Sequence, residues 1–274
     1  MTERVYTAIV LAAQRPGVTN QVAETFGQSH KCLVPINGRP MLERVLENLV
    51  KAPEVGNIIV SIEDPEIALK LPYVKALEDA GTLSFAQSER TLADSLAAAM
   101  DQAGNDAMPF FITAADNCFH TDEIVSFFLQ GVTKTGADAA WAMARDELIQ
   151  RTYPGTGKIT GRHKLRDGIW SNCNIYAICS PDAKLTVEMF RGGGQFGNNK
   201  KKKALIPVVG LWSFFLYRYG LVTLEGLAKQ ASKVFKINAQ AIEMPFADAP
   251  IDADDMPSFN FIEAHLKERE GDKG

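Results

Sequence analysis

The amino-acid sequence predicts an α/β fold built around a mostly parallel β-sheet. Short apolar runs alternate with helical stretches from residue 5 to residue 135, and this alternation is typical of successive βαβ units. The length of 274 residues and the hydrophobic content of 46% allow a sizeable buried core without further cross-links. We therefore expect one domain over residues 1–274, with residues 1–135 and 136–274 as its two halves.

Four strands are predicted in the first half, because apolar runs there end in polar or small residues. They lie at Val5–Ala13, 58–62, Leu83–Gln87 and Pro109–Ala115. The helices between them are predicted from the period of their apolar residues and from their capping residues. Two of them span Met41–Lys51 and Thr91–Ala103, and two more begin near Asp64 and Thr121.

The second half is predicted to be less regular. Strands are expected at Ala137–Arg145, at Ile169–Ile178 and, on a sheet edge, at Phe235–Met244. Helices are expected over Thr223–Lys233 and from near Pro257 onward. Two polar, Gly-containing segments are predicted as loops. They are Gln14–His30 and the basic segment Gln150–Arg166, which we expect as an exposed loop or hairpin over the ligand site.

The charge balance argues against nucleic acid as a partner. The formal net charge is −4, so anion binding should be local. The segment Arg191–Lys203 ends in a lysine run at 200–203. It is either a solvated charge run or a cationic flap that closes on a phosphorylated substrate. An arm for nucleic acid is disfavoured, because no aromatic residues interleave with the lysines to stack bases.

No stretch predicts a secreted or membrane-spanning protein. The N-terminus lacks the layout of a secretory signal, and the apolar segment Ala204–Val222 is interrupted by proline, glycine and arginine. We expect that segment to form a core helix or a partner surface, which allows a homodimer. The four cysteines have no metal-ligand spacing, so we expect reduced, buried thiols and a cytoplasmic location.

The end of the first strand is a candidate phosphate-binding loop. Residues 11–15 read LAAQR, and the small alanine side chains let the backbone approach a ligand closely. Arg15 and the later Lys31 can neutralise phosphate charge. The alternative is an ordinary βα loop with two solvated cations, and these residues alone leave both interpretations open.

Acids and amides follow other strands, and the ligand site of an open α/β sheet lies beyond the carboxyl ends of its strands. Asp116 and Asn117 come directly after the fourth strand. An acid at this position suits a metal ligand, although either residue could instead cap a turn or the helix near Thr121.

Two further groups of polar residues are candidates in the second half. Asn172 and Asn174 lie two residues apart on a predicted strand and so share a face. They either bind the hydroxyls of a polyol or satisfy local backbone groups. Three acids precede the final helix, at Asp252, Asp254 and Asp255. They are either ordinary capping residues or the source of a second metal ligand.

Several of these segments resemble nucleotidyltransferases of the glycosyltransferase-A-like fold, among them the molybdenum-cofactor nucleotidyltransferases and the sugar-phosphate nucleotidylyltransferases. Residues 11–17 (LAAQRPG) and 31–42 (KCLVPINGRPML) resemble the pattern L-A-A-G-x-G-x-R, followed by a lysine before L-x-P-x-x-G-x-P-M-L. Asp116 resembles the metal-binding aspartate of these enzymes. Residues 251–255 (IDADD) resemble their late acidic segment. The resemblance runs through the chain in order.

The resemblance implies a three-layer αβα fold with a Rossmann-like central sheet. Its first half, residues 1–135, would bind the nucleotide, and its second half, residues 136–274, would bind the acceptor. The implied reaction transfers a nucleoside monophosphate from a nucleoside triphosphate to a phosphorylated small-molecule acceptor and releases pyrophosphate. Such chemistry depends on charge neutralisation and alignment more than on a covalent protein group.

The resemblance also implies roles for individual residues. Mg²⁺ would be held by Asp116 and Asp252, and Arg15 and Lys31 would be the catalytic cations. Asn172 and Asn174 would bind the acceptor, whose phosphate would meet Lys158, Arg162 or the lysine run. The nucleotide would be bound by residues of the first loop and of the helix near Thr91, namely Leu11, Ala12, Ala13, Gln14, Gly17 and Ser95, with 88–90 beside the base.

One departure from the family pattern keeps other functions open. Gln14 stands where a first glycine is usual, and its Cβ limits how closely the loop can wrap a triphosphate. A non-catalytic nucleotide-binding or regulatory protein is therefore one alternative. A metal-dependent glycosyltransferase is another, but it would want Asp-x-Asp after the fourth strand, where residues 116–118 read DNC.

Overall fold

The computed structural model of the protein describes residues 5–14, 20–155, 159–190 and 216–271. Several predicted features lie outside these ranges. They are Arg15, Gly17, Lys158, the lysine run 200–203 and most of the apolar segment 204–222. The architecture below is that of the described residues.

One eight-stranded sheet dominates the fold. Its strands are β1 Tyr6–Leu11, β4 Val55–Ile62, β5 Leu83–Gln87, β6 Phe110–Ala114, β7 Ala139–Arg145, β8 Arg162–Leu165, β9 Gly168–Ile178 and β10 Ala239–Met244, and a separate hairpin is formed by β2 Pro35–Ile36 and β3 Arg39–Pro40. The order is β10-β7-β9-β6-β1-β4-β5, with β8 paired to β9. Neighbouring strands pair in parallel except at β9, which runs antiparallel to β6, β7 and β8. The mostly parallel sheet is confirmed.

Nine α-helices are found in the described residues, and side chains cap several of them. They are α1 Gln21–Thr25, α2 Met41–Lys51, α3 Pro65–Leu69, α4 Pro72–Asp79, α5 Leu92–Ala103, α6 Asp122–Thr135, α7 Asp146–Thr152, α8 Leu224–Phe235 and α9 Met256–Gly271. Threonine side chains cap α5, α6 and α8 by accepting a backbone N–H bond. Short 3₁₀ helices cover Lys31–Leu33, Asn105–Ala107 and Pro181–Phe190. Among these described helices, none combines the length and the apolar character that crossing a bilayer requires.

Hydrophobic cores lie on both faces of the sheet. The alternation along β1 sends Tyr6, Ala8 and Val10 into one core and Ile9 into the other. The first core includes residues of α2, α6 and α9, and the second includes residues of α5 with partly buried residues of α8. The two cores make the fold three-layered, as the resemblance implies.

Two predicted loops contain regular structure. The segment Gln14–His30 includes α1, a five-residue helix that Asn20 caps. The segment Gln150–Arg166 includes the end of α7 and strand β8, which forms a hairpin with β9. The edge strand near residue 240 is confirmed, although it begins at Ala239 rather than Phe235.

A buried arginine fastens the β2–β3 hairpin to the C-terminal helix. Arg44 in α2 is 6% exposed and donates from Nε to the Ile36 carbonyl at 2.9 Å and from Nη2 to the Asn37 carbonyl at 3.1 Å. Its Nη1 donates to Glu270 Oε1 in α9 at 2.5 Å. The hairpin follows Lys31 in the chain, so this contact holds the Lys31 segment against the helix that follows the late acids.

Replacing Arg44 should therefore destabilise the protein. Arg44→Ala is expected to lower the free energy of unfolding by about 2–4 kcal/mol, because it removes a buried bond to the Ile36 carbonyl, a second bond to the Asn37 carbonyl and the ion pair with Glu270. Arg39→Ala is the matched control, since Arg39 is 40% exposed and bonded to Glu47, and it should cost about 0–1 kcal/mol. Urea unfolding of both variants tests this; equal losses would contradict the assigned role of Arg44.

Candidate active site at the carboxyl edge of the sheet

The predicted acids and Lys31 meet where the parallel strands end. Asp116 follows β6, and Lys31 opens the 3₁₀ helix Lys31–Leu33. Two backbone bonds hold the neighbouring segments together: Ala115 N–H donates to the Leu11 carbonyl at 3.0 Å, and Ala253 N–H donates to the Asp116 carbonyl at 3.2 Å. Because of these bonds, the end of β1, the end of β6 and the late acidic segment share one edge.

Lys31 is surrounded by carboxylates. Its Nζ lies 2.5 Å from Asp116 Oδ2 and 3.0 Å from Asp254 Oδ1. Carboxylate oxygens of Asp116, Asp252 and Asp254 lie within 4.8 Å of one another. The side chains of Lys31 and Asp116 are 16% and 20% exposed, whereas that of Asp254 is 55% exposed. The cluster therefore opens to solvent on the Asp254 side.

The charges of the cluster act on each other. Burial alone would lower the pKa of Lys31, but the carboxylates of Asp116 and Asp254 raise it above its usual value. Burial would raise the pKa of Asp116, and the Lys31 ammonium outweighs that effect and lowers it. The pKa of Asp252 lies well above its usual value, because of burial and the charges of Asp254 and Asp116.

These residues fit a hard divalent cation. Three aspartates offer oxygen ligands close enough to share one ion, and Mg²⁺ prefers oxygen ligands, keeping several of its waters. With all four groups ionised, three carboxylates and one ammonium leave a net charge of two negative units. Burial and the charges of Asp254 and Asp116 together raise the pKa of Asp252, and a bound cation would relieve the repulsion among these carboxylates.

The late acids divide between the two predicted roles. Asp255 caps α9: Ser258 N–H donates to Asp255 Oδ1 at 2.9 Å, and Asp255 N–H donates to Ser258 Oγ at 3.1 Å. Asp252 and Asp254 belong to the carboxylate cluster. Of these, Asp252 alone was predicted as a cation ligand, and the signal for Asp254 was its spacing of two residues from Asp252.

The alternative that Asp116 or Asn117 caps α6 is wrong, because Thr121 caps that helix. Asn117 is 1% exposed, and its side chain connects β6 to β9. Its Nδ2 donates to Thr113 Oγ1 at 2.8 Å and to the Asn174 carbonyl at 3.2 Å. Because residues 116–118 read DNC, the end of β6 has no Asp-x-Asp ligand pair.

The loop after β1 begins close to the cluster, and Ala12 is buried whereas Ala13 is exposed. Gln14 N–H donates to both carboxylate oxygens of Glu63 at 3.3 Å. His30 Nε2 contacts Glu63 Oε1 at 2.7 Å. The Gln14 N–H therefore faces the carboxylate of Glu63, directly after β4, rather than open solvent. Glu63 was not among the predicted site residues.

Ser95, which was predicted to contact the base and ribose, is buried against the loop that leads into α5. It is 5% exposed, and its Oγ accepts from Glu89 N–H at 2.8 Å and donates to the Glu89 carbonyl at 3.3 Å. The hydroxyl therefore holds the loop between β5 and α5.

The two asparagines of β9 make different contacts. Asn172 Nδ2 donates to Tyr176 OH at 2.6 Å, whereas Asn174 Nδ2 donates to Asp252 Oδ2 at 2.5 Å. Arg162, predicted to meet the acceptor's phosphate, donates from Nε to Asp146 Oδ1 at 2.7 Å. Asn174 is thus the one of these three side chains that reaches the carboxylate cluster.

Three of the four cysteines are buried, as predicted, whereas Cys179 is only partly buried. These three are Cys32, Cys118 and Cys173, and none of the four forms a disulfide. Burial, with the charge of Glu63, raises the pKa of the Cys32 thiol to about 12, and burial raises that of Cys118 to about 12. They are neutral side chains of the core.

The opposite pKa shifts of Asp116 and Asp252 predict opposite effects on stability. In cation-free protein at pH 8, Asp116→Asn should cost about 1–3 kcal/mol, because it takes from Lys31 its nearest charged partner. Asp252→Asn should stabilise the protein. A carboxyl whose pKa is raised by folding loses stability as the pH rises, so this gain should grow above about pH 4.

Thermal unfolding in the presence of a chelator, with both variants followed from pH 4 to pH 8, checks these signs. Equal destabilisation by the two substitutions would show that the charges of Asp116 and Asp252 are not in opposite environments.

Comparison with solved structures finds the same fold. A hypothetical transferase from Thermus thermophilus is 22% identical, with a TM-score of 0.69, over 93% of this chain and 99% of that one. CMP:2-keto-3-deoxy-manno-octonic acid synthetase complexed with CTP is 15% identical, with a TM-score of 0.59, over 96% and 99%. The 4-diphosphocytidyl-2C-methyl-D-erythritol synthase of Anaerococcus prevotii is 12% identical, with a TM-score of 0.56, over 97% and 99%.

Sequence comparison identifies the family. No curated protein matches the chain significantly. The family model described as the MobA-like NTP transferase domain matches residues 8–211, which include the loop after β1, Lys31, Asp116 and both asparagines of β9. Because this match covers most of the chain, the protein belongs to the MobA-like NTP transferase domain family and is a nucleotidyltransferase.

Proposed function

We propose that the protein catalyses Mg²⁺-dependent transfer of a nucleoside monophosphate from a nucleoside triphosphate to a phosphorylated small-molecule acceptor, with release of pyrophosphate. The observation that carries this proposal is the Lys31–Asp116–Asp254 cluster with Asp252 beside it. A triphosphate and a phosphorylated acceptor bring many negative charges to one place. A lysine and a carboxylate-bound cation are the groups that allow both to approach.

Asp116, Asp252 and Asp254 would hold the cation. Bound Mg²⁺ supplies charge neutralisation at the triphosphate and fixes its orientation. The three aspartates come from two separate segments, the end of β6 and the stretch before α9. The backbone bond from Ala253 to Asp116 fixes the distance between those segments, so the ligand set is preorganised before substrate binds.

Lys31 would stabilise charge on the phosphate under attack. The raised pKa keeps its ammonium protonated throughout the physiological range. Before substrate binds, its two carboxylate contacts hold Nζ beside the proposed cation site, from which it can reach a bound phosphate. A positioned cation contributes most where negative charge develops in the transition state, so Lys31 should act mainly on turnover.

The other contacts with the two substrates are proposed from the positions of residues along the carboxyl edge of the sheet. The backbone of residues 11–14, with Arg15 and Gly17, would bind the triphosphate, and the loop held by Ser95 would lie beside the base. Asn172 and the β8–β9 hairpin would face the acceptor in the second half of the chain. A putative glucose-1-phosphate thymidylyltransferase from Bacillus anthracis and the 4-diphosphocytidyl-2C-methyl-D-erythritol synthase are among the structural neighbours, which supports a sugar or polyol phosphate as acceptor.

Asp116→Ala should reduce pyrophosphate release by about 100-fold or more, because it removes both a cation ligand and the closest partner of Lys31. The assay measures pyrophosphate with each of the four ribonucleoside triphosphates, Mg²⁺ and a panel of sugar and polyol phosphates. Asp122→Ala is the control: it is an exposed acid at the start of α6 and should keep normal turnover. Normal turnover of folded Asp116→Ala would remove the proposal.

Lys31→Ala should lower kcat by about 10²–10³-fold, while raising the dissociation constant of the triphosphate much less. Lys75→Ala, which removes an exposed lysine on α4 bonded to Glu78 and Asp79, should change neither quantity. Steady-state kinetics and triphosphate titration separate the two quantities. A large loss of affinity with unchanged kcat would assign Lys31 to ground-state binding instead.

A further inference from the structure

Strand β9 carries a bulge beside the carboxylate cluster. On β7, Trp141 pairs with Tyr176 and Met143 pairs with Asn172. One residue of β7 therefore faces three residues of β9, at positions 173–175. Asn174 is at the centre of this bulge and has φ of +55°. That left-handed conformation disfavours most side chains but is tolerated by asparagine, and bulges commonly redirect a side chain at a site.

The bulge directs Asn174 toward Asp252. Asn174 Nδ2 donates to Asp252 Oδ2 at 2.5 Å, and Asn174 N–H donates to Asn172 Oδ1 at 3.1 Å. A carboxylate oxygen only accepts hydrogen bonds, so the NH₂ end of the amide must face it. The orientation of the Asp252 carboxylate is therefore tied to the backbone conformation of β9.

Asn117 fixes the other side of the bulge. Its Nδ2 donates to the Asn174 carbonyl at 3.2 Å and to Thr113 Oγ1 at 2.8 Å. Asn117 is buried and directly follows Asp116. The turn that supplies Asp116 thus also holds the backbone of the residue that orients Asp252, which couples two proposed cation ligands from distant parts of the sequence.

We propose that Asn174 is a positioning residue of the cation site: its amide orients one oxygen of Asp252 and leaves the other for the cation. This inference rests on the cation site of the proposed function. Asn174 would then orient a cation ligand instead of binding the acceptor. Of the two asparagines, Asn172 would be the one that binds the acceptor. Groups that orient metal ligands commonly change metal affinity about 10–100-fold when removed.

The test is Mn²⁺ binding in the absence of nucleotide and acceptor, measured by calorimetry. Asn174→Gly is the informative variant, because glycine adopts φ of +55° readily and so keeps the bulge while losing the amide. We expect its Mn²⁺ affinity to fall about 10–100-fold. Asn37→Gly is the matched control: Asn37 also has a positive φ, of +44°, and its amide donates to Glu270 rather than to an aspartate of the cluster, so its Mn²⁺ affinity should be unchanged.

A second measurement needs no variant. In the wild-type protein, the ¹⁵N side-chain amide resonance of Asn174 should shift when Mg²⁺ is added alone. An amide that responds only when acceptor is added would overturn the inference and assign Asn174 to the acceptor. The same conclusion follows if folded Asn174→Gly binds Mn²⁺ normally but has a raised KM for acceptor.

The outcome for wild-type protein separates this inference from the function it rests on. Wild type that binds no Mn²⁺ overturns both. If the wild type binds Mn²⁺ and Asp252→Asn loses that binding while Asn174→Gly keeps it, the positioning role alone is overturned.

Discussion

The charge balance around Lys31 is the constraint on which the site depends. An ammonium group that is only 16% exposed needs carboxylates, and Asp116 and Asp254 supply them within 3.0 Å. These two carboxylates already outnumber the one positive charge of Lys31, and Asp252 adds a third, whose pKa is raised by burial and by those neighbouring charges. The excess negative charge is what a site for a divalent cation requires.

Several parts of the fold serve to hold that cluster. The parallel strands β1 and β6 bring their carboxyl ends to one edge, where loops carry the ligands. Arg44 ties the β2–β3 hairpin, which follows Lys31, to Glu270 in the last turn of α9. Asn117 and Asn174 connect the end of β6 to Asp252 through β9. Stability and the geometry of the site are therefore linked.

Most of the fold could be predicted from the sequence, because long periodic segments with clear caps leave little choice. Helix α2 begins and ends at the predicted residues, Met41 and Lys51. Helix α1 was not predicted, because five residues with one cap give too weak a period. Part of the site could also be predicted, since Asp116 follows a buried strand and Lys31 follows the phosphate-loop candidate.

The rest of the site depends on contacts between distant residues. Aspartates that cap a helix and aspartates that bind a cation look alike in sequence, and only the packing separates Asp255 from Asp254. A regular strand would give Asn172 and Asn174 equivalent roles, but two extra residues in β9 break that equivalence. The bond between Glu63 and the Gln14 N–H joins residues 49 positions apart, which no local pattern reveals.

The most direct test of the cation site is a crystal structure of the protein with Mn²⁺ and a non-hydrolysable analogue of the triphosphate that supports turnover. Anomalous scattering locates the metal independently of any assumed ligands. We expect one Mn²⁺ bound by carboxylate oxygens of Asp116, Asp252 and Asp254, with the triphosphate completing its coordination and Lys31 Nζ on a phosphate oxygen. Bound nucleotide with Mn²⁺ elsewhere, and the Lys31–Asp116 contact unchanged, would contradict the account.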